Sequence, residues 1–168
     1  MKKIQLILIA AIALFAIACS DDNTVDPPQE TGTIQLESAE GSSAVETPYE
    51  NTTVSFHTKI TNTSTRDIEV YALMEVIELA ESHLTYFCWG DINTGEGECY
   101  AATDKDFLSK KTLTIKSGET TDPNSFIQYI DNSLVADATS RVRYIVYEKD
   151  NEANRDTIEY SIRFKAPF

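Results

Sequence analysis

From Thr33 onward the chain is written in short runs where apolar and polar residues alternate singly. Val54, Phe56, Thr58 and Ile60 interleave with Ser55, His57, Lys59 and Thr61, the two-residue period of a strand with one face on a core. Residues 33–37 predict a shorter first strand, and Gly41-Ser42-Ser43 the turn after it. Residues 45–50 fit either an edge strand or a loop, because Pro48 cannot donate to a ladder. Residues 62–67 form a polar turn. Residues 68–79 contain good helix formers, but Ile68, Val70, Ala72, Met74 and Val76 follow a two-residue step, as do Tyr71, Leu73, Ile77 and Leu79. A helix would spread these side chains around its whole circumference, so the stretch reads as a strand, paired as a hairpin with 53–61. Further strands are predicted near Leu84, at 112–116, at 125–130, at 141–148 and at 157–165, with 149–156 as the loop of a final hairpin. About eight strands separated by turns point to an all-β, two-layer antiparallel sandwich.

The pattern before Thr33 is different. Met1-Lys2-Lys3 is basic, and residues 4–18 are apolar except for Gln5, a run that suits a signal-peptide core and is short for the roughly 20 residues of a spanning helix. It ends in Ala16-Ile17-Ala18-Cys19, which resembles the lipobox of bacterial lipoproteins, whose cysteine becomes the lipidated mature N-terminus. Ser20-Asp21-Asp22 resembles the acidic tract after that cysteine in surface-exposed lipoproteins of Bacteroidota. The resemblance implies a signal peptide at 1–18 and an outer-membrane lipoprotein displayed outward, with a periplasm-facing orientation as the alternative. Each buried acyl methylene contributes about 0.8 kcal/mol, so several chains on Cys19 would anchor the protein by themselves. Residues 19–32, rich in Asp, Pro, Glu and Thr, read as a disordered tether. Residues 33–168 remain as one domain.

Charge narrows the partners. The formal net charge is −13, and the loss of Lys2 and Lys3 makes it −15. Such a surface repels phosphate backbones and anionic headgroups, which argues against nucleic acid and against membrane contact other than through the acyl chains. A glycan or an envelope protein stays open as partner. Oligomeric state is not legible.

The densest aromatic segment is Leu84-Thr85-Tyr86-Phe87-Cys88-Trp89-Gly90, followed by Gly95, Gly97, Cys99 and Tyr100. With Cys19 lipidated, Cys88 and Cys99 are an even remainder in an oxidising compartment, which predicts a disulfide at the base of a hairpin. The Phe-Cys-Trp-Gly string, the later Cys-Tyr, Ser117-Gly118-Glu119, the Arg143-to-Glu148 string and Asp156-Thr157-Ile158 resemble an uncharacterised immunoglobulin-like domain of Bacteroidota envelope and secreted proteins, over residues 52–164. The resemblance implies an immunoglobulin-like sandwich and no catalytic residues.

Candidate chemistry is sparse. His57 and His83 are the two histidines, and neither stands at a metal-ligand spacing from the cysteines. No nucleophile elbow, phosphate loop or paired-histidine metalloprotease string occurs, so the expectation is no enzyme and no cofactor. Asp91, Asn93, Glu96 and Glu98 crowd one loop as a weak calcium candidate, read first as a solvated turn. If the cysteines point inward, Trp89 and Tyr100 point outward and become the candidate ligand contacts. Thr157 lies in a string that resembles a short O-glycosylation motif of Bacteroidota. Together these imply a non-enzymatic, lipid-anchored structural or accessory module. The alternative is a glycan- or protein-binding module that uses the hairpin at 86–100.

Overall fold

The computed structural model describes residues 29–41, 44–48, 53–90, 97–100, 105–121, 126–131 and 137–165. The expected signal segment, Cys19 and the expected tether up to residue 28 lie outside the described residues. The chain forms an all-β, immunoglobulin-like sandwich of two six-stranded sheets. In chain order the strands are β1 (Ile34–Ser38), β2 (Ala44–Pro48), β3 (Thr53–Asn62), β4 (Ile68–Glu78), β5 (His83–Trp89), β6 (Glu98–Tyr100), β7 (Phe107–Leu108), β8 (Leu113–Ile115), β9 (Thr120–Thr121), β10 (Phe126–Asp131), β11 (Ala138–Glu148) and β12 (Asn151–Lys165). One sheet runs β1-β3-β10-β5-β6 with β9 also on β3; the other runs β2-β12-β11-β4-β7 with β8 also on β4.

The two-residue pattern finds its core as expected. Phe56, Ile60, Ile127, Tyr129, Phe87 and Trp89 from the first sheet meet Val70, Ala72, Met74, Val142, Tyr144, Tyr160 and Ile162 from the second. Large aromatics lock the layers: Phe56 of the first sheet packs on Tyr160 of the second at 4.8 Å, and Phe87 lies edge-on to Tyr144 at 5.8 Å. The stretch at 68–79 is a strand, β4, whose face from Ile68 to Met74 is buried.

Three expectations need correction. First, β3 and β4 do not form a hairpin; the turn at 62–67 carries the chain from one sheet to the other. A buried asparagine makes that crossing. Asn62 Nδ2 donates to the carbonyls of Arg66 (2.7 Å) and Ile115 (3.1 Å), and its Oδ1 accepts from the Ser64 amide (2.9 Å). Second, residues 151–156 are strand rather than loop. The β11–β12 turn is only Lys149-Asp150, with Glu148 opposite Asn151. The polar run hides this strand because Asn154 turns inward, fully buried, and is satisfied by hydrogen bonds rather than apolar contact. Third, the described residues form twelve strands, the surplus being short edge pieces such as β7 and β9 that carry no alternation of their own.

The ambiguous stretch with Pro48 is an edge strand. It pairs parallel with β12, Ala44 opposite Ser161 and Pro48 opposite Lys165, so the chain switches sheets between β1 and β2 around Gly41 (φ 74°). β1 itself pairs with β3 and also reaches across to β12: the Leu36 amide donates to Asp156 Oδ2 at 2.8 Å.

Candidate functional site

β5 alternates in direction along its length, although Cys88 on the outer side is itself only 3 % exposed. His83, Thr85, Phe87 and Trp89 face the core, which sends Leu84, Tyr86 and Cys88 to the outer side of the sheet. Cys88 pairs in register with Cys99 of β6, the two Cα atoms stand 4.0 Å apart, and a disulfide joins them. Neighbouring antiparallel strands bring opposite residues close enough for this. The bond ties two adjacent strands of one sheet and does not cross the sandwich. Gly90 (φ 82°) starts the connection in a left-handed conformation that suits glycine.

The expected outward pair is therefore inverted. With the cysteines on the outer face, Trp89 and Tyr100 point inward, 1 % and 6 % exposed. Trp89 Nε1 donates to the Lys111 carbonyl at 2.9 Å, which satisfies the indole in the core. Tyr100 stacks on Phe87 at 5.6 Å and meets Phe107 at 4.4 Å. Its hydroxyl donates to Glu98 at 2.8 Å and accepts from the Lys110 amide at 2.8 Å. Neither ring is a ligand contact, and the reading of the hairpin as an aromatic recognition tip through them is corrected. The two rings instead hold the segment at 107–111 over the cystine hairpin.

Electrostatics follow from the same contacts. The hydrogen bond from Tyr100, followed by the nearby Lys111 and Lys110, holds the Glu98 carboxyl below the ordinary carboxylate range. Burial is the main cause that pushes the Tyr100 phenol up. Glu98 lies 3.6 Å from Lys111 Nζ, so its oxygens already have partners. Asp91, Asn93 and Glu96, the other members of the calcium candidate, lie outside the described residues. Among the described residues no group of three or more His, Cys, Asp or Glu is placed to hold a metal ion.

The remaining candidates sit apart from the hairpin. His57 is half-buried and its Nδ1 lies 2.7 Å from Glu40, which also accepts from the His57 amide. The Glu40 carboxyl is lowered: its burial works against that, and the bonds to His57 outweigh it. His83 Nδ1 stands 2.6 Å from Ser140 Oγ. Both groups are buried, the serine oxygen also accepts from the Ala80 amide at 2.9 Å, and the imidazole packs edge-on to Phe164. The pair links β5, β11 and β12 within the core. Thr157 is exposed on β12, opposite Ile145, and its amide donates to Asp156 at 2.8 Å.

A polar cluster at the end where residues 29–33 enter escaped sequence reasoning. Arg66 donates two bonds to Glu148, at 2.6 and 2.8 Å, and Asn154 donates a third at 2.9 Å. Asn154 Oδ1 accepts from the Thr33 amide at 2.9 Å, and Asn151 donates to the Glu30 carbonyl at 2.8 Å. The only sequence signal is two asparagines spaced three apart in an otherwise solvated-looking run.

No family model matches the chain, and no curated protein matches it. Solved structures do. The N-terminal domain of PorA is 13 % identical, with 80 % of this chain and 99 % of that domain aligned at a TM-score of 0.50. AvmM, which catalyses macrocyclization in alchivemycin A biosynthesis, is 8 % identical over 82 % of this chain and 92 % of its own, at 0.47. The ASH/PapD-like domain 7 of human CEP192 is 11 % identical over 84 % and 92 %, at 0.43. At such identity the likeness to the PorA domain speaks for the β-sandwich fold and for nothing finer.

Proposed function

We propose that this protein is a non-enzymatic, lipid-anchored module of the cell envelope with a structural or accessory role, held at the outer membrane by acyl chains on Cys19 and displayed outward. The observation that carries the reading is the apolar run ending in Ala16-Ile17-Ala18-Cys19, only ten residues before Gln29, whose side chain donates to the Asp150 carbonyl of the domain. Ten extended residues reach at most about 35 Å, so the domain would ride close to the membrane with its entry end nearest the anchor. The β3–β4 crossing and the cystine hairpin share that end, because β3 and β5 both run antiparallel to β10 and so point the same way.

The fold's polar resources are spent on the fold. Ser140 and His83 bind each other inside the core, Glu98 serves Tyr100, and Glu148 serves Arg66 and Asn154. A cystine on the outer face of a sheet suits an oxidising compartment. Mass spectrometry of the membrane fraction tests the anchor: an acylated N-terminal Cys19 is expected, and Cys19→Ser should leave the chain without acyl groups. A native chain that starts elsewhere, or an unmodified Cys19 in membranes, overturns the reading. Protease shaving of intact cells should degrade the domain if it faces outward.

A further inference from the structure

The outer face of the β4–β11 pair is built differently from the rest of the surface. Its in-register rows are Glu69 beside Lys149, Tyr71 beside Tyr147, Leu73 beside Ile145, Glu75 beside Arg143, and Glu78 beside Arg141. A bulge after Val76 brings Glu78 onto this face. Every acidic member lies on β4, and every basic member lies on β11 or the turn that follows it. Between the charged rows lies an apolar centre. The two tyrosine rings are 5.9 Å apart, and Leu108 of β7, 47 % exposed, extends the Leu73 row.

We infer that this face pairs with the same face of a second copy of the chain. A two-fold axis parallel to the strands, midway between β4 and β11, lays β4 of each copy over β11 of the other. Each row then meets its complement: Glu69 over Lys149, Tyr71 over Tyr147, Leu73 over Ile145, Glu75 over Arg143, Glu78 over Arg141, and Leu108 over Thr157 of the second copy. Such an isologous contact is self-complementary by construction. An axis perpendicular to the strands would instead stack β4 on β4, with its three glutamates on one side of both halves.

Pairs within one copy leave capacity for this. Glu69, Glu75 and Glu78 side chains are 47 %, 32 % and 58 % exposed, and a carboxylate or guanidinium accepts or donates more bonds than these pairs use, although Arg141 is already shared between Glu78 and Glu159 of β12. Net charge favours the same face. At −13 per chain two copies repel wherever their general surfaces meet, whereas in the β4–β11 rows each acidic residue finds a basic one; Glu159 of β12, opposite Arg143, stays with Arg141 of its own chain at 3.6 Å. Rows from Glu69 to Glu78 span about 30 Å, and β4, β11 and β12 together about 14 Å, so with the short β7 and β8 the face is on the order of 500 Å². That is below the roughly 800 Å² per partner of a standard interface, so the charged rows must carry much of the pairing.

The test uses the full acylated chain, made in a host that leaves threonine unmodified, extracted from membranes in two differently tagged forms. Wild-type copies should co-purify and sediment as a dimer. Arg143→Glu and Glu75→Arg, made singly, should each weaken self-association about tenfold or more, since every pair in that row becomes like-charged. Mixed together, these two variants should recover dimerisation, because the row is wholly acidic in the Arg143→Glu chain and wholly basic in the Glu75→Arg chain. A folding defect inside one chain could not be repaired by mixing, so recovery separates pairing from stability. Leu108→Asp, at an exposed edge position, gives a second disruption. A monomeric wild type, a dimer indifferent to all three substitutions, or a mixture that fails to recover overturns the inference.

Discussion

Removing either partner of the Arg66–Glu148 pair should cost unequal amounts. The two side chains are 45 % and 6 % exposed, so Arg66 reaches water and Glu148 does not. Arg66→Met leaves the carboxylate with one donor, Asn154 at 2.9 Å, in place of three. An orphaned buried charge costs about 3–5 kcal/mol; with one bond kept and the arginine's space open to water, about 2–3 kcal/mol is expected. Glu148→Gln frees an arginine that solvent can hydrate and keeps an acceptor for Asn154, so about 1 kcal/mol is expected. The double variant should be more stable than Arg66→Met alone. Urea unfolding at neutral pH measures all three, with unchanged m-values as the sign that the folded and unfolded states are otherwise alike. Acid adds a second reading. The bond from Arg66 is the main cause holding the Glu148 carboxyl below the ordinary range, despite some burial. A lowered folded value contributes stability that is full above the unfolded carboxylate pKa of about 4.3 and is lost as pH falls through the folded value. Glu148→Gln should remove that share of the acid loss. A glutamine variant as costly as Arg66→Met, or one whose acid limb is unchanged, would refute the reasoning.

Two further predictions concern the hairpin. Replacing Cys88 and Cys99 with serine should lower the unfolding free energy by about 2–4 kcal/mol, while the native oxidised chain should show no reactive thiol from either residue when unfolded. Trp89→Ala, which empties a fully buried site, should cost about 3–5 kcal/mol in thermal or urea unfolding; a loss below about 1 kcal/mol would mean the indole is not in the core.

What was legible followed from one rule and failed where another took over. Alternation locates β3, β4 and the final strands because their inward residues are apolar at a two-residue step, even where β4 and β11 also carry Tyr71, Leu73 and Ile145 outward. It could not assign β3 and β4 to different sheets, since a turn of polar residues looks the same whether it closes a hairpin or crosses the sandwich. Asn62 decides that, through bonds to Arg66 and Ile115 that depend on a segment more than fifty residues away. The start of β12 was invisible because hydrogen bonds replace apolar contact at Asn151 and Asn154. At the hairpin, parity puts the cysteines and the two aromatics on opposite faces but does not say which face is inward. In an ordinary two-sheet core the larger apolar area wins, and an indole plus a phenol bury far more than a cystine.

The pairing face and the Thr157 string make competing demands on one surface. Thr157 is exposed beside Ile145, and in the two-fold arrangement it lies under Leu108 of the second copy. A glycan there would stand where the second sheet must approach, since stacked sheets lie only about 10 Å apart. Modification and pairing are therefore exclusive, and the state of Thr157 would set which one the native chain uses. The peptide spanning Thr157, taken from native cells, gives its mass directly. If it carries sugar, native chains should sediment as monomers while Thr157→Ala restores the dimer. If it is bare, native chains should dimerise as the unmodified recombinant chain does. A glycosylated chain that still dimerises through this face, with Arg143→Glu still disruptive, would break the argument that the two share the same space.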